Sequence, residues 1–490
     1  MKKKHFIMIA ADQLRRDVLG KGFTPNIDAL VAESVQFERA YCASPLCVPA
    51  RGALFTGLCP NTNGSKINPW FPMDAPSGKV HKGIPNLYGM MEEGGWDCIH
   101  SGKQHLFTEG GKIEDDPNTK TNWTCTETTY LEFLKENGKR APGGPKFRTP
   151  VAEMAQGLHT RMCTYSNPNT GLYDQGPEYY FDNYFTDHAL KGLRERDTTK
   201  PLFLSAMFLA PHPPLEIPDP WYSRVKPEQV KLPENVGKWY KYQSPLQMYN
   251  LTGIIGSHYN MEEWAESWRV YLGLVGMLDD CIGEILDELK KQGIYDDCMI
   301  LFTADHGEMM GSHRLYQKMC MYEESAHVNL SIRLPGAEHA GRVINDTISH
   351  LDVLPTICDY LDLSVLECEG RSLRSLMEGG SLPEKDAFIQ FDGNGALSNF
   401  QRCVVRGNYK LIADVFKDEV YYELYDTVKD NQEADNLLFG ETFPEIARDM
   451  LASLIRHMEE THDELTLPST DLDEFVRIYR ELPAKPTCIL

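Results

Sequence analysis

Two unbroken apolar runs, residues 5–11 (His5-Phe6-Ile7-Met8-Ile9-Ala10-Ala11) and 298–303 (Cys298-Met299-Ile300-Leu301-Phe302-Thr303), constrain the fold of this chain more than any other feature. A strand with one face in water alternates apolar and polar residues. A continuous run marks a central parallel strand covered on both faces. The two runs lie nearly 300 residues apart, and each ends in side chains able to hold a cation: Asp12-Gln13 after the first, Asp305-His306-Gly307-Glu308 after the second. Open α/β sheets bind ligands at the carboxyl ends of their strands, so the two ends read as one shared site. For Asp12 taken alone, capping of the following turn is the plainer reading.

Leu46-Cys47-Val48-Pro49-Ala50-Arg51-Gly52-Ala53-Leu54-Phe55-Thr56-Gly57 reads as a short helix, with Pro49 in its first turn and Gly57 at its stop. Cys47 then lies just before the helix N-terminus, near free backbone N–H groups, with Arg51 one turn further on. That is a nucleophile placed at an anion site. A lone cysteine at such a place is ordinarily a packing residue.

The Cys47-x-Pro49-x-Arg51 spacing, followed by Leu54-x-Thr56-Gly57, resembles the maturation motif of the type I sulfatases, in which the cysteine is oxidised enzymatically to formylglycine. Residues 303–313 resemble the second signature of the same family. Gly102-Lys103-Gln104-His105, after the apolar residues 96–99, matches its Gly-Lys-x-His element, and Pro211-His212-Pro213-Pro214, after 202–209, its Pro-His-x-Pro element. Lys318 falls at the position of its sulfate-binding lysine. These elements occur in the family's order over nearly the whole chain.

The resemblance implies an α/β fold of the alkaline phosphatase type: a large mixed, mostly parallel sheet flanked by helices over residues 1–384, and a smaller α+β domain over 385–490. It implies a divalent cation held by Asp12, Gln13, Asp305, His306 and the oxygen of modified Cys47. Calcium is the first expectation. Manganese and magnesium are alternatives, because many relatives carry Asp where this chain has Gln13 and Asn where it has His306. The implied activity is hydrolysis of a small-molecule or saccharide sulfate monoester (sugar, steroid or aryl). Arg51 holds the hydrated aldehyde, Lys103 and Lys318 bind sulfate, His212 acts as acid and His105 as base. The implied partner is a formylglycine-generating maturation enzyme. A phosphonate monoester or phosphodiester hydrolase is the nearest alternative. A non-catalytic binder of sulfated ligands is another, should Cys47 remain a thiol.

Composition agrees. A formal net charge of −22 excludes nucleic acid and anionic membranes as partners, and requires positive charge to be concentrated locally, at Arg51, Lys103 and Lys318. The apolar run after Met1-Lys2-Lys3-Lys4 is too short for a signal peptide, and no stretch approaches the roughly 20 residues of a membrane span. Thirteen cysteines without regular spacing fit a reducing compartment, so the chain reads as cytoplasmic. Cys488-Ile489-Leu490 does not fit a prenylation signal.

Residues 107–200 read as a weakly patterned stretch whose aromatics (Tyr179, Tyr180, Phe181, Tyr184, Phe185) either recognise substrate or cover a sheet edge. Residues 213–257 read as a pocket wall and 262–291 as a long amphipathic helix. Short strands at 403–405, 410–413 and 421–424, then a helix over 444–460, complete the chain.

Overall fold

The structure is a computed structural model that describes residues 4–155, 159–364, 367–441, 445–467 and 471–481. Met1 to Lys3, Pro444 and Cys488 lie outside the described residues.

Nine strands form the main sheet: β1 (His5–Asp12), β2 (Val35–Tyr41), β3 (Asp97–Gly102), β4 (Asn122–Cys125), β5 (Leu202–Pro211), β6 (Cys298–Ala304), β7 (His327–Val328), β8 (Leu330–Arg333) and β9 (Val343–Ser349). Their order is β7-β2-β8-β6-β1-β5-β3-β4, with β9 alongside β2. The five strands β6-β1-β5-β3-β4 run parallel, whereas β8 is antiparallel to both β6 and β2. The two apolar runs are therefore immediate neighbours, Phe6 pairing with Met299 and Ala11 with Ala304. Every residue of both strands is buried, as an unbroken apolar run requires.

Helices α1 (Cys47–Thr56), α2 (Leu87–Gly94), α3 (Phe181–Glu195), α4 (Met261–Lys291) and α5 (Val353–Leu361) flank the sheet. The long helix α4 begins in a capping box: the Asn260 side chain accepts from the N–H groups of Glu262 and Glu263 at 2.9 and 3.0 Å, and Glu263 accepts from the Asn260 N–H at 2.8 Å. Lys290 and Lys291 in its last turn complement the helix dipole. No helix among the described residues is long and apolar enough to cross a membrane.

The stretch expected to be weakly patterned has definite structure. Residues 107–200 contain the hairpin Arg148–Ala155/His159–Ser166 and the helix α3. The hairpin mixes polar and apolar residues, Glu153 being buried between Val151 and Ala155, and the helix is rich in aromatics, so neither shows a clear apolar period. Tyr180, Tyr184 and Phe185 are buried. Tyr184 packs on Phe133 at 4.7 Å and Phe181 on Tyr130 at 4.9 Å between ring centroids. Tyr180, Tyr184 and Phe185 are core, whereas Phe181 is half-buried and also lines the cavity described below.

The C-terminal residues form a four-stranded antiparallel meander, β10 (Ala387–Phe391), β11 (Phe400–Arg406), β12 (Tyr409–Phe416) and β13 (Glu419–Asp426), with α6 (Ile446–Glu460) packed on it. The first of these strands has no counterpart in the sequence reading. Lys410 of β12, fully buried, reaches back to the segment between β6 and β7, pairing with Glu323 at 2.5 Å, and also pairs with Glu433 at 2.9 Å.

Candidate active site

Because β1 and β6 are parallel neighbours that end at the same level, the residues after them meet. Asp305 Oδ1 accepts from the Gln13 N–H at 3.1 Å and the His306 N–H at 2.9 Å, while the Asp305 N–H donates to Ala11 O at 3.1 Å. Gln13 turns the chain out of the sheet with φ 68°, in the left-handed region.

Cys47 comes to the same place on α1. It is the first helical residue, not the residue before the helix: Leu46 is the extended cap, and Gly57 ends the helix at φ 67° as its sequence position requires. The Cys47 Sγ lies 3.2 Å from His306 Nε2 and 3.7 Å from both Asp12 Oδ1 and Lys103 Nζ. The His306 Nδ1 faces Gly307 O at 3.0 Å, which leaves Nε2 as the acceptor directed at the centre.

Arg51, one turn along α1, is 1% exposed and lies between the two carboxylates, at 3.0 Å from Asp305 Oδ2 and 3.2 Å from Asp12 Oδ2; a further N–H donates to Lys103 O. It is thus fully used in fixing Asp12, Asp305 and the Lys103 backbone. Lys103 follows β3 and donates to Asp12 Oδ2 at 2.5 Å. Lys318 donates to Gln13 Oε1 at 2.5 Å.

Electrostatics follow from this packing. Burial opposes charge on Asp12, but Lys103, His212, Arg51 and Lys318 outweigh it and hold the carboxyl well below its ordinary range. Burial and Asp12 push the Cys47 thiol up, yet Lys103, Lys318 and His306 bring it below its ordinary value. Its neighbour Cys59 is pushed up to about 12 by burial and Glu369, and burial likewise raises Cys42. Cys47 alone of the three is set in positive surroundings.

The two histidines stand at the wall. His105 follows Lys103 at φ 50°, its Nε2 3.2 Å from Glu127 Oε1 and its Nδ1 buried without a hydrogen-bond partner. Burial and Lys103 push its pKa down to about 4; Glu127 sits at about 2, burial being outweighed by its bond to His105. His212 follows β5, where Asp182 of α3 accepts from the Leu209 and Ala210 N–H groups at 2.7 and 3.0 Å and so braces the strand end. The His212 Nδ1 faces Pro213 O at 2.5 Å, leaving Nε2 for the site. Burial, then Lys318 and Lys103, hold His212 well below its ordinary pKa. Cys47, Lys103, His105, His212 and Lys318 all line one cavity of about 730 Å³. A second cavity of equal volume, lined in part by Asp359 and Arg371, contains none of them. Beyond Pro214, residues 215–257 contribute nothing to the lining: Trp221 bonds to Asp280 of α4 at 2.7 Å and Tyr222 lies against Arg269 at 4.5 Å. The expected second wall is packing against α4.

One oxygen of Asp12 and of Asp305, Cys47 Sγ and a His306 nitrogen lie within 4.8 Å of one another, all buried. Two carboxylates, an imidazole and a ligand atom at position 47 fit a divalent cation, with the Gln13 amide beside them. Glu308 sets that amide. Fully buried, it accepts from Gln13 Nε2, from the Met310 N–H at 3.0 Å and from the Gln317 N–H at 2.5 Å, so Gln13 Oε1 is the atom turned toward Lys318. Glu308 stood in view in the Asp305-His306-Gly307-Glu308 string but was not assigned a part. Glu127, Asn68 and Asn394 were not singled out either. Asn68 accepts from the Val48 N–H at 3.3 Å at the start of α1 and donates to Asn394 Oδ1 at 2.8 Å, which brings a residue of the C-terminal region to the cavity.

Two strand-end carboxylates, an imidazole and a cysteine at a helix N-terminus thus meet at one buried point. The family model described as Sulfatase matches residues 4–363, and that described as N-sulphoglucosamine sulphohydrolase, C-terminal, matches residues 311–460. The chain is 26% identical over 487 residues to an arylsulfatase of Clostridium perfringens, covering 95% of this chain and 96% of that one. It is 22% identical over 501 residues to a delta 4,5-hexuronate-2-O-sulfatase of Bacteroides thetaiotaomicron, covering 96% and 92%. The phosphonate monoester hydrolase of Agrobacterium radiobacter shares the fold, with a TM-score of 0.75 at 23% identity over 94% of this chain and 96% of that one. The chain belongs to the sulfatase family. It is a sulfuric ester hydrolase.

Proposed function

We propose that the chain hydrolyses sulfate monoesters of sugars or aryl alcohols through formylglycine formed from Cys47. The observation that carries this reading is the setting of Cys47 at the first turn of α1, within 3.2–3.7 Å of His306, Asp12 and Lys103 and at the floor of the cavity that holds both histidines.

A divalent cation held by Asp12, Asp305, His306, Gln13 and the oxygen at position 47 would supply the charge that acidifies the aldehyde hydrate and draws in the sulfate; calcium, with manganese next, suits this donor set. Arg51 keeps the two carboxylates in place. Lys103 and Lys318 neutralise the sulfate oxygens while one hydroxyl of residue 47, its proton given up to solvent, bonds to sulfur in line with the departing alcohol. His212, charged by a proton taken up at Nε2 from solvent when the sulfate anion binds, gives that proton to the alcohol's oxygen as its bond to sulfur breaks. His105 then takes the proton of the second hydroxyl at Nδ1, the carbon–oxygen bond to sulfate breaks, and the aldehyde returns. A single-hydroxyl side chain could not release sulfate in this way.

A maturation enzyme that reads the extended Cys47-to-Arg51 segment before folding is the required partner, since Cys47 is 3% exposed afterwards. The cysteines of the described residues are free thiols, which supports a reducing, cytoplasmic setting. A catalytic region 1–384 and a C-terminal region 385–490 are read as the chain's two domains; Asn394 of the second lines the cavity, and Ile389, Phe391 and Val405 of its meander belong to the core of the first. The less acidic pair Gln13 and His306 also favours, as a second reading, phosphonate monoester hydrolysis in the same site. Sulfate release from 4-nitrophenyl sulfate, run beside phenyl phosphonate monoester cleavage, decides between them: faster phosphonate turnover would reverse the order.

Glu127 sets the tautomer that His105 needs, because a proton shared between Nε2 and the carboxylate leaves Nδ1 as the acceptor. Glu127→Ala is expected to lower kcat by about tenfold or more. Glu127→Gln, which retains an acceptor, recovers most of that loss. Steady-state kinetics on one sulfate ester measures both, and equal activity of all three proteins would remove Glu127 from the mechanism.

A further inference from the structure

Three residues with fixed positive charge line the cavity among the described residues: Lys103, Lys318 and Arg148. The first two are engaged, Lys103 with Asp12 and Lys318 with Gln13. The Arg148 guanidinium is exposed and has no hydrogen-bond or ion-pair partner among the described residues. In a chain with 71 acidic and 49 basic side chains, an arginine at a binding cavity that none of the excess carboxylates has claimed is informative. Its side chain is free but its backbone is not. Phe147 O accepts from the Asn167 N–H at 3.1 Å, the Asn167 side chain donates to Thr149 Oγ1 at 3.1 Å, and Arg148 pairs with Ser166 across the hairpin. The guanidinium is thus held on a pinned stem at the edge of the cavity.

The reacting sulfate has its counter-charges in Lys103, Lys318 and the cation site, so Arg148 is surplus to it. The same cavity presents Trp70, 47% exposed, as an aromatic surface for a ring, and Asn394, whose Oδ1 is taken by Asn68 and whose amide N–H groups remain. A planar fork of donors suits a carboxylate or a sulfate group. We propose that Arg148 forms a second anion subsite, and that the substrates are sulfate esters of a sugar ring bearing another negative group, a carboxylate or a second sulfate. This rests on the sulfatase reading above. The overall charge of −22 makes the requirement sharper, since a dianionic ligand is repelled everywhere except where cations are gathered.

The test compares three substrates on enzyme whose Cys47 has been converted: a monosulfated neutral hexose, a sulfated uronate disaccharide and a disulfated hexosamine. Wild-type protein is expected to favour one or both dianionic sugars in kcat/KM by about ten- to a hundredfold. Arg148→Gln is expected to erase that preference through KM, and Arg148→Lys to keep part of it. Whether the uronate or the disulfated sugar gains more tells which anion is bound. Calorimetric binding of the three sugars to the Cys47→Ala protein gives the same ratios without turnover. The subsite is overturned if wild type shows no preference, or if Arg148→Gln weakens all three sugars equally. Converted enzyme that releases sulfate from no ester at all would instead contradict the sulfatase reading, and the subsite with it.

Discussion

Replacing Cys47 with Ala is expected to lower sulfate ester hydrolysis by a factor on the order of 10⁴ to 10⁶ while leaving the fold intact. The size follows from the chemistry. In the proposed mechanism residue 47 supplies the atom that bonds to sulfur and the second hydroxyl that expels sulfate, and no neighbouring side chain is assigned either part. His306 and Lys103 lie within 3.2 and 3.7 Å of Sγ, but both serve as charge and ligand. The fold is expected to hold because alanine is well suited to a helix and the change removes a single sulfur from a position already in contact with solvent-facing cavity, at a cost of about 1 kcal/mol. Circular dichroism and the thermal midpoint check the fold, and initial rates check the activity. A variant that folds and turns over near the wild-type rate would leave Cys47 as a packing residue.

Asp305→Asn is expected to remove the cation and with it at least about a hundredfold in kcat. The amide keeps the size and the Oδ1 acceptor for the Gln13 and His306 N–H groups, so the loop after β6 retains its two backbone bonds. What it loses is charge. Asp305 and Asp12 share Arg51, which is 1% exposed; with Asp305 neutral, Arg51 draws more strongly on Asp12 and the anionic character of the site falls by half. A buried guanidinium left with one carboxylate also lowers stability, by about 3 kcal/mol on the scale of broken buried pairs. Elemental analysis of the purified variant separates the effects: metal content well below that of wild type is expected. Full occupancy together with full activity would show that Asp305 is not a ligand.

The parts of the site that were legible in the sequence share one property. Asp12, Gln13, Asp305, His306, Lys103 and His212 each follow an apolar run that could only be a buried strand, so strand ends marked them before any contact was known. Cys47 and Arg51 were marked by the proline and glycine that bound a short helix. What stayed hidden has no such marker. Glu127 lies in a turn after the short strand β4 and meets His105 only because β4 pairs with β3. Asn394 lies 326 positions from Asn68 along the chain, in a loop of the C-terminal meander. Arg148 starts a hairpin strand whose buried face holds Glu153 between Val151 and Ala155, so the sequence carries no clean apolar alternation. Composition does not say which way a ring faces: Tyr180, Tyr184 and Phe185 are core, while Phe181 packs on Tyr130 and also lines the cavity. Arg51 is marked in the sequence as a hold on residue 47, and its contacts with the two carboxylates have no signal there, because they depend on how β1 and β6 end side by side.

The central claim is the conversion of Cys47, and mass spectrometry of the tryptic peptide from Ala40 to Arg51 tests it most directly. Protein made beside a competent maturation enzyme is expected to carry the aldehyde at residue 47, located by fragment ions that leave Cys42 a thiol. Protein made without that enzyme is expected to carry a thiol at both positions. Sulfate release measured on the same preparations should rise in proportion to the converted fraction and be independent of total protein. Preparations with no detectable aldehyde that hydrolyse sulfate esters as fast as converted ones would contradict the account.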